Sequence, residues 1–283
     1  MAEFFRPDTL QEALELLAQY QDQAVIVNGG SDIVIDISKK KITPAAIVSI
    51  GHLSELRWIR KEKERILLSG NVTYREMASD SICREIDGLI TAVSNLGSPG
   101  VRAVATPAGN IGTAAPAADC ATMLTALEAD VTLVSLQGQR DVPLKDFYRG
   151  RNLTVKRADE LITAISFPAL GKGEGTGYCK VARRKAQDIG KILVGAKIRV
   201  EAGRVNHAAI ALGALNANIV RAFSLEEAIT GMEPQEAYQY LQETFPKEAV
   251  LRESYFKEYK ELTARAVVAQ AFSQALADAE RRQ

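Results

Sequence analysis

Two short stretches carry small residues at a spacing that suits phosphate chemistry: Val27-Asn28-Gly29-Gly30-Ser31-Asp32 and Thr106-Pro107-Ala108-Gly109-Asn110-Ile111-Gly112-Thr113. Each presents backbone without side-chain bulk, next to hydroxyl and amide donors. Several N–H groups can then converge on one anion, which is what a phosphate or pyrophosphate requires. The competing interpretation is a plain tight turn at Gly29-Gly30 and a surface loop further on; either stretch alone allows both. Other chemistries lack a pattern. His52 and His207 sit in separate halves with no metal-ligand partner at helical or loop spacing, which favours structural or solvated roles. The sequence has no GxSxG, HExxH, Walker or CxxC pattern, so hydrolase, zinc and nucleotide-hydrolysing chemistry has no motif behind it. Three scattered cysteines, Cys83, Cys120 and Cys179, exclude a disulfide framework and a cysteine-only iron–sulfur site. The sequence thus singles out no catalytic side chain and no metal site, and any redox chemistry has to come from a bound cofactor.

The elements that must position these loops follow from composition and periodicity. At about 150 residues per domain, 283 residues predict two domains. Hydrophobic residues at 47% and charged residues at 25% describe an ordinary globular chain rather than a disordered or membrane-embedded one. Lysine plus arginine (35) cancels aspartate plus glutamate (35), so no bulk field draws the protein to nucleic acid or an anionic membrane. With no basic leader before Arg6 and no run of about 18 apolar residues, a cytoplasmic protein without a membrane span is expected. Thr9 and Glu12 predict a capped helix with Leu10, Ala13, Leu14 and Leu17 on one face, and Thr73 and Glu76 predict another. Ala24–Val27, Ile47–Ile50, Arg65–Ser69, Val131–Leu136 and Leu161–Phe167 read as strands, Ile33–Ile37 as extended or helical, and Cys120–Leu127 as a helix. Leu96 to Asp119 reads as one long loop, and the run Gly171–Gly177 as a linker between domains. Beyond it, Tyr178–Val181, Ile192–Val200 and Ala208–Leu215 read as strands, and Leu225–Thr230 and Ser254–Arg281 as helices.

In order along the chain stand Gly29-Gly30-Ser31-Asp32, Arg102, Gly109-Asn110-Ile111, Ala115-Pro116-Ala117-Ala118-Asp119, Lys180-Val181-Ala182-Arg183-Arg184 with Asp188-Ile189, Ile210-Ala211-Leu212-Gly213-Ala214 with Arg221-Ala222, then Ser254–Tyr259 and Arg265-Ala266. This ordered set, spanning nearly the whole chain, resembles the FAD-binding medium subunit of the molybdenum hydroxylases, the group of xanthine dehydrogenase and carbon monoxide dehydrogenase. The resemblance implies an α+β fold: an FAD-binding domain over 1–170, of the type shared with vanillyl-alcohol oxidase (PCMH), made of two α/β subdomains (roughly 1–55 and 56–170). A C-terminal domain over 178–283, a small antiparallel sheet with helices, would follow. It further implies a pyrophosphate cradle from Val25, Ile26, Val27, Asn28, Gly29, Gly30, Ser31 and Asp32 with Thr106, Ala108, Gly109 and Asn110. Asp119 would hydrogen-bond the ribose part of the cofactor, Lys180 would lie by the flavin ring or phosphates, and Leu96 with Leu161 or Ile162 would pack against the isoalloxazine. Pro107-Ala108 stands where the family usually has Ile-Gly, which removes one N–H donor. Asn28 and Ser31 replace the family's frequent Ala and Thr.

The resemblance implies an oxidoreductase subunit within a hetero-oligomer. Electrons would enter from a 2Fe–2S partner subunit, a molybdopterin-binding large subunit would perform the hydroxylation, and FAD would deliver the electrons to NAD or another acceptor. Two alternatives belong to other classes: a stand-alone flavin reductase or oxidase using Tyr178, Lys180 or Asp188, and an assembly protein with a weakened FAD site.

Overall fold

The computed structural model describes residues 2–251 and 257–283. Its first unit is a parallel three-stranded sheet of β1 (Glu3–Phe5), β2 (Ala24–Val27) and β3 (Ala46–Ser49) in the order β1-β3-β2. Helix α1 (Leu10–Tyr20) joins β1 to β2, and α2 (Ile33–Ser38) joins β2 to β3. Thr9 caps α1 by accepting the Glu12 N–H at 3.2 Å, while Glu12 bonds Asp8 N rather than completing the predicted box. The helix buries Ala13, Leu14 and Leu17 in a small core with Val48, Ile50, Leu53, Leu56 and Leu161. Ile33–Ile37, which alternates like a strand, is helical, and none of α2 is buried. The preceding turn sets this outcome: Gly30 adopts φ +69°, and its carbonyl accepts the Val34 N–H.

The second unit is an antiparallel five-stranded sheet in the order β4-β5-β10-β6-β7. Its strands are β4 (Ile59–Glu62), β5 (Arg65–Ser69), β6 (Asp130–Ser135), β7 (Gly138–Pro143) and, across the β8 (Tyr148–Gly150) and β9 (Leu153–Thr154) hairpin, β10 (Leu161–Pro168). Five helices pack within this unit: α3 (Tyr74–Ser79), α4 (Asp87–Ser94), α5 (Pro99–Arg102), α6 (Pro107–Thr113) and α7 (Asp119–Ala126); short α8 (Leu144–Phe147) follows β7. The Thr73–Glu76 capping box forms in full. The stretch 96–119, expected to be one loop, contains α5 and α6, each begun by a hydroxyl cap and a proline: Ser98-Pro99 and Thr106-Pro107. Proline is preorganised for the first helical position and gives up no helix hydrogen bond there, so this glycine-rich and alanine-rich segment folds as compact turns of helix.

The third unit is a four-stranded antiparallel sheet, β11 (Glu174–Val181), β12 (Ile192–Glu201), β13 (Arg204–Gly213) and β14 (Val220–Arg221), with α9 (Phe223–Ile229), α10 (Pro234–Glu243) and α11 (Lys257–Glu280). The predicted linker is therefore partly sheet: β11 starts at Glu174, and Gly175 and Gly177 lie flat against α11. Ser254–Phe256, the predicted start of the last helix, lies outside the described residues. One sheet face packs on α11; the other faces the second unit, with Gly195 against Thr122 and Met123 of α7. No helix among the described residues is long and apolar enough to cross a membrane.

A charged cluster seals that second face. Glu128, just past α7, meets His207 at 3.0 Å, Arg221 at 3.6 Å and Lys197 at 3.8 Å. Arg221 in turn forms a bidentate buried pair with Glu226, whose carboxylate also accepts the Ile210 N–H. The His207 hydrogen bond, helped by Arg221 and Lys197, holds the Glu128 carboxyl down at about 2. A depressed carboxyl stabilises the fold above its unfolded value near 4.5, and the contribution disappears as pH falls toward 2. With its side chain 35% exposed, screening reduces this contribution to about 1–2 kcal/mol. Glu128→Gln is expected to lower Tm by about 3–6 °C at pH 7 and to have little effect near pH 2, checked by thermal unfolding across that range.

Candidate functional site

The first small-residue loop leaves the carboxyl end of β2, whose other edge carries no strand among the described residues. Ile26 packs on the small N-terminal core, so what Val25, Ile26 and Val27 offer along that edge is their backbone. The Asn28 side chain is consumed structurally, its Nδ2 donating to Gly70 O and Asn71 Oδ1, both at 2.8 Å. Gly29 is the close approach: a Cβ there would lie 1.9 Å from the Val104 carbonyl oxygen. The first loop thus rests directly on the chain that leads into the second. Ser31 is half-buried, and the exposed Asp32 occupies the cap position of α2 without making a cap bond.

The second loop is the start of α6. Thr106 caps it, its Oγ1 accepting the Gly109 N–H at 3.1 Å, while Asn110 N donates to Thr106 O. Of the N–H groups a helix start leaves over, Pro107 has none and Gly109 is capped, which leaves those of Thr106 and Ala108. Asn110 points inward, its Oδ1 accepting Ala121 N at 3.3 Å. Gly112 faces Ile162, which is buried in β10 beside a bulge.

The third cluster crosses between the halves. Asp119, buried at the first turn of α7, accepts the Tyr178 hydroxyl and the Lys180 ammonium, both at 2.8 Å, from neighbouring positions of β11. Burial pushes the Asp119 carboxyl up, against the opposing pull of Lys180 and Tyr178. Lys180 also donates to the Asn95 carbonyl at 3.1 Å, one residue before Leu96, whose own carbonyl takes Arg102 at 2.8 Å. Beside this pair opens a cavity of about 420 Å³ lined by Asn95, Lys180 and the basic turn Arg183–Asp188. Arg184 and Asp188 close that turn on each other.

The predicted residues therefore fall into three groups: Asn28–Asp32 against the chain leading to Thr106–Asn110, Ile162 with Gly112, and Asp119 with Lys180 next to Leu96. Sequence reasoning missed the neighbours that build these groups, namely Val104, Asn71 and Asn95. Nothing in their residue types marks them. All three cysteines are buried, unpaired thiols among the described residues, and burial raises each of them, Cys83 to about 12 and Cys179 to about 11.

The architecture is that of a chain in carbon monoxide dehydrogenase from Hydrogenophaga pseudoflava lacking the Mo-pyranopterin moiety, with a TM-score of 0.90, 26% identity and 98% of each chain covered. A chain of quinoline 2-oxidoreductase from Pseudomonas putida 86 shares the fold, with a TM-score of 0.87 at 22% identity, covering 99% of this chain and 98% of that one. The family model "FAD binding domain in molybdopterin dehydrogenase" matches residues 1–170, and the "CO dehydrogenase flavoprotein C-terminal domain" matches 177–275. The chain belongs to this family of FAD-binding subunits of molybdopterin dehydrogenases. Among its relatives are the nicotinate dehydrogenase FAD-subunit of Eubacterium barkeri, 32% identical over 245 residues (83% of each chain). The xanthine dehydrogenase FAD-binding subunit of Escherichia coli O157:H7 is 34% identical over 215 residues, 75% of this chain and 73% of that one.

Proposed function

We propose that the chain is an electron-transfer subunit that holds FAD between its first two units and takes electrons from the 2Fe–2S clusters of a partner, with NAD or another acceptor receiving them. The carrying observation is the contact of Gly29 with the Val104 carbonyl, too close for any Cβ, which sets the first small-residue loop directly against the chain leading into the second. The residues present fit the cofactor. Backbone N–H groups of Gly29–Asp32 and Ala108 would face the pyrophosphate, Ile162 and Leu96 would supply apolar contact, and Lys180 would supply positive charge near the ring. Bound FAD supplies the step between one- and two-electron transfer, which no side chain here can perform. Asp119 holds Lys180 in place, and Tyr178 fixes the Asp119 carboxylate.

The division at 1–170 and 178–283, with subdomains meeting near residue 55, belongs to the same proposal. Its support is the pair of matched ranges, 1–170 and 177–275, and the sheet change between β3 and β4. Partner chains carrying 2Fe–2S clusters and a molybdopterin complete the proposed hetero-oligomer; the relatives' names as subunits and chains of dehydrogenases support this.

The test is spectroscopic. The purified chain is expected to be yellow, with a band at about 450 nm that NADH or a reduced iron–sulfur donor bleaches; a colourless chain that takes up no added FAD overturns the proposal. Lys180→Met leaves Asp119 buried beside Tyr178 without its counter-charge. That variant is expected to lose at least ~10-fold in FAD affinity and about 2–3 kcal/mol of stability, read by flavin titration and urea unfolding.

A further inference from the structure

Helix α4 stops at Ser94, and the chain turns away from it through Gly97 at φ +50°. Three successive carbonyls line this turn, and each accepts a cationic side chain. Asn95 O takes Lys180 Nζ at 3.1 Å, while Leu96 O and Gly97 O take Arg102 Nη1 at 2.8 and 3.1 Å. Positive charge is favoured at this end of a helix, where the exposed carbonyls form the negative pole of its dipole. The two cations arrive from separate elements, Lys180 from β11 of the third unit and Arg102 from the last residue of α5. Arg102 is aimed back at the turn by its own short helix: Ser98 Oγ accepts the Val101 N–H at 3.2 Å, and Ser98 O accepts the Arg102 N–H at 3.0 Å.

The two cations differ in their other duties. Lys180 is shared with Asp119, whereas half-buried Arg102 makes no ion pair among the described residues, and its side-chain hydrogen bonds go to these two carbonyls. Arg102 is therefore not the counter-charge of an acid; what it fixes is backbone. Between the two grips sits Leu96, half-buried, its side chain packed against the core beneath α4 and α7. Charge-assisted hydrogen bonds are roughly twice as strong as neutral ones, so the main chain on both sides of Leu96 is tied firmly to two different elements. We infer that Arg102 is a positioning residue of the flavin site: together with Lys180 it clamps the turn Asn95–Gly97 and holds Leu96 preformed as an apolar wall for the isoalloxazine. The inference rests on the proposed flavin site. A wall ordered in advance spares the cofactor the entropic cost of ordering it on binding.

The experiment compares FAD titrations and visible spectra of the full chain with those of Arg102→Met and Arg102→Lys. Arg102→Met removes both bonds and is expected to bind FAD at least ~10-fold more weakly. Its bound flavin is expected to lose the resolved shoulders that a rigid apolar contact gives the band at ~450 nm. Because a single nitrogen, Nη1, serves both carbonyls, an ammonium can take its place, and Arg102→Lys is expected to return to within ~3-fold of the wild-type affinity with the shoulders restored. A merely structural arginine would lower Tm and leave the bound flavin unaltered. Wild-type affinity and spectrum in Arg102→Met, at whatever Tm, therefore overturn the assignment, as does an Arg102→Lys no better than Arg102→Met. Should Arg102→Met fail to fold, Arg102→Gln, which keeps an uncharged N–H donor, is judged by the same two readings. If the unaltered chain takes up no FAD, the flavin-site proposal itself fails, and the clamp with it.

Discussion

Gly29→Ala is expected to abolish flavin retention. The added Cβ would sit 1.9 Å from the Val104 carbonyl oxygen, 2.5 Å from its carbon and 3.0 Å from the Ala105 Cα. All three are backbone atoms, so no rotamer change relieves the clash, and the two chains must separate by more than an ångström. The proposed phosphate cradle is built across that contact, so its opposing N–H groups no longer converge. Overpacking of this kind costs about 1–3 kcal/mol or more, and ~1.4 kcal/mol is tenfold in affinity, so FAD binding is expected to weaken at least ~100-fold. Flavin-to-protein absorbance of the purified variant and titration with FAD check this. Gly100→Ala is the control, since its Cβ would meet only Ser98 Oγ at an ordinary 3.7 Å. Wild-type flavin content in Gly29→Ala would remove the junction as the site.

A second glycine is expected to decide whether the protein folds at all. At Gly177 a Cβ would lie 2.1 Å from the Ala271 carbonyl oxygen, and at Gly175 it would lie 2.2 Å from both Ala275 O and Ala279 N. Helix α11 thus lies on the bare backbone of β11, with Ala271, Ala275 and Ala279 as the matching small residues on its contact face, all buried. Gly177→Ala must lift the helix from the sheet along much of its length. The expected cost is at least ~4 kcal/mol, a large share of the ~5–15 kcal/mol that separates folded from unfolded chains. Soluble yield and the urea midpoint measure it; a variant that unfolds at the wild-type midpoint would show that α11 is free to shift.

These two glycines also show what was legible. Arg65–Ser69, Ala24–Val27 and the Thr73 cap follow from local patterns, because apolar alternation and capping are short-range signals that burial reinforces. Gly171–Gly177 reads as a linker because glycine normally punctuates; its strand role depends on a helix almost a hundred residues later. The 96–119 stretch hides two helices for a related reason. Its Gly, Ala and Pro content masks periodicity, and only the Ser98-Pro99 and Thr106-Pro107 pairs announce helix starts. The candidate site divides the same way. Small-residue loops, Asp119 and Lys180 are visible as motifs, whereas Val104 and Asn95 contribute backbone carbonyls, which any residue type can supply.

The last turn of α11 reaches back to the second unit. Asp278 accepts the Thr176 N–H at 2.9 Å, Thr176 Oγ1 accepts the Gly88 N–H at 3.0 Å, and Arg281 and Arg282 pair with Asp87 and the Glu85 carbonyl. A ribosome therefore delivers α4 long before the C-terminal residues that cover it: some 190 further positions, the rest of the second unit and all of the third, are made before Arg281 can reach Asp87. The surface around α4 therefore closes only once the last turn of α11 exists, after synthesis of the chain is complete. Expression at low temperature or with added chaperones is expected to raise the folded yield more than added flavin does.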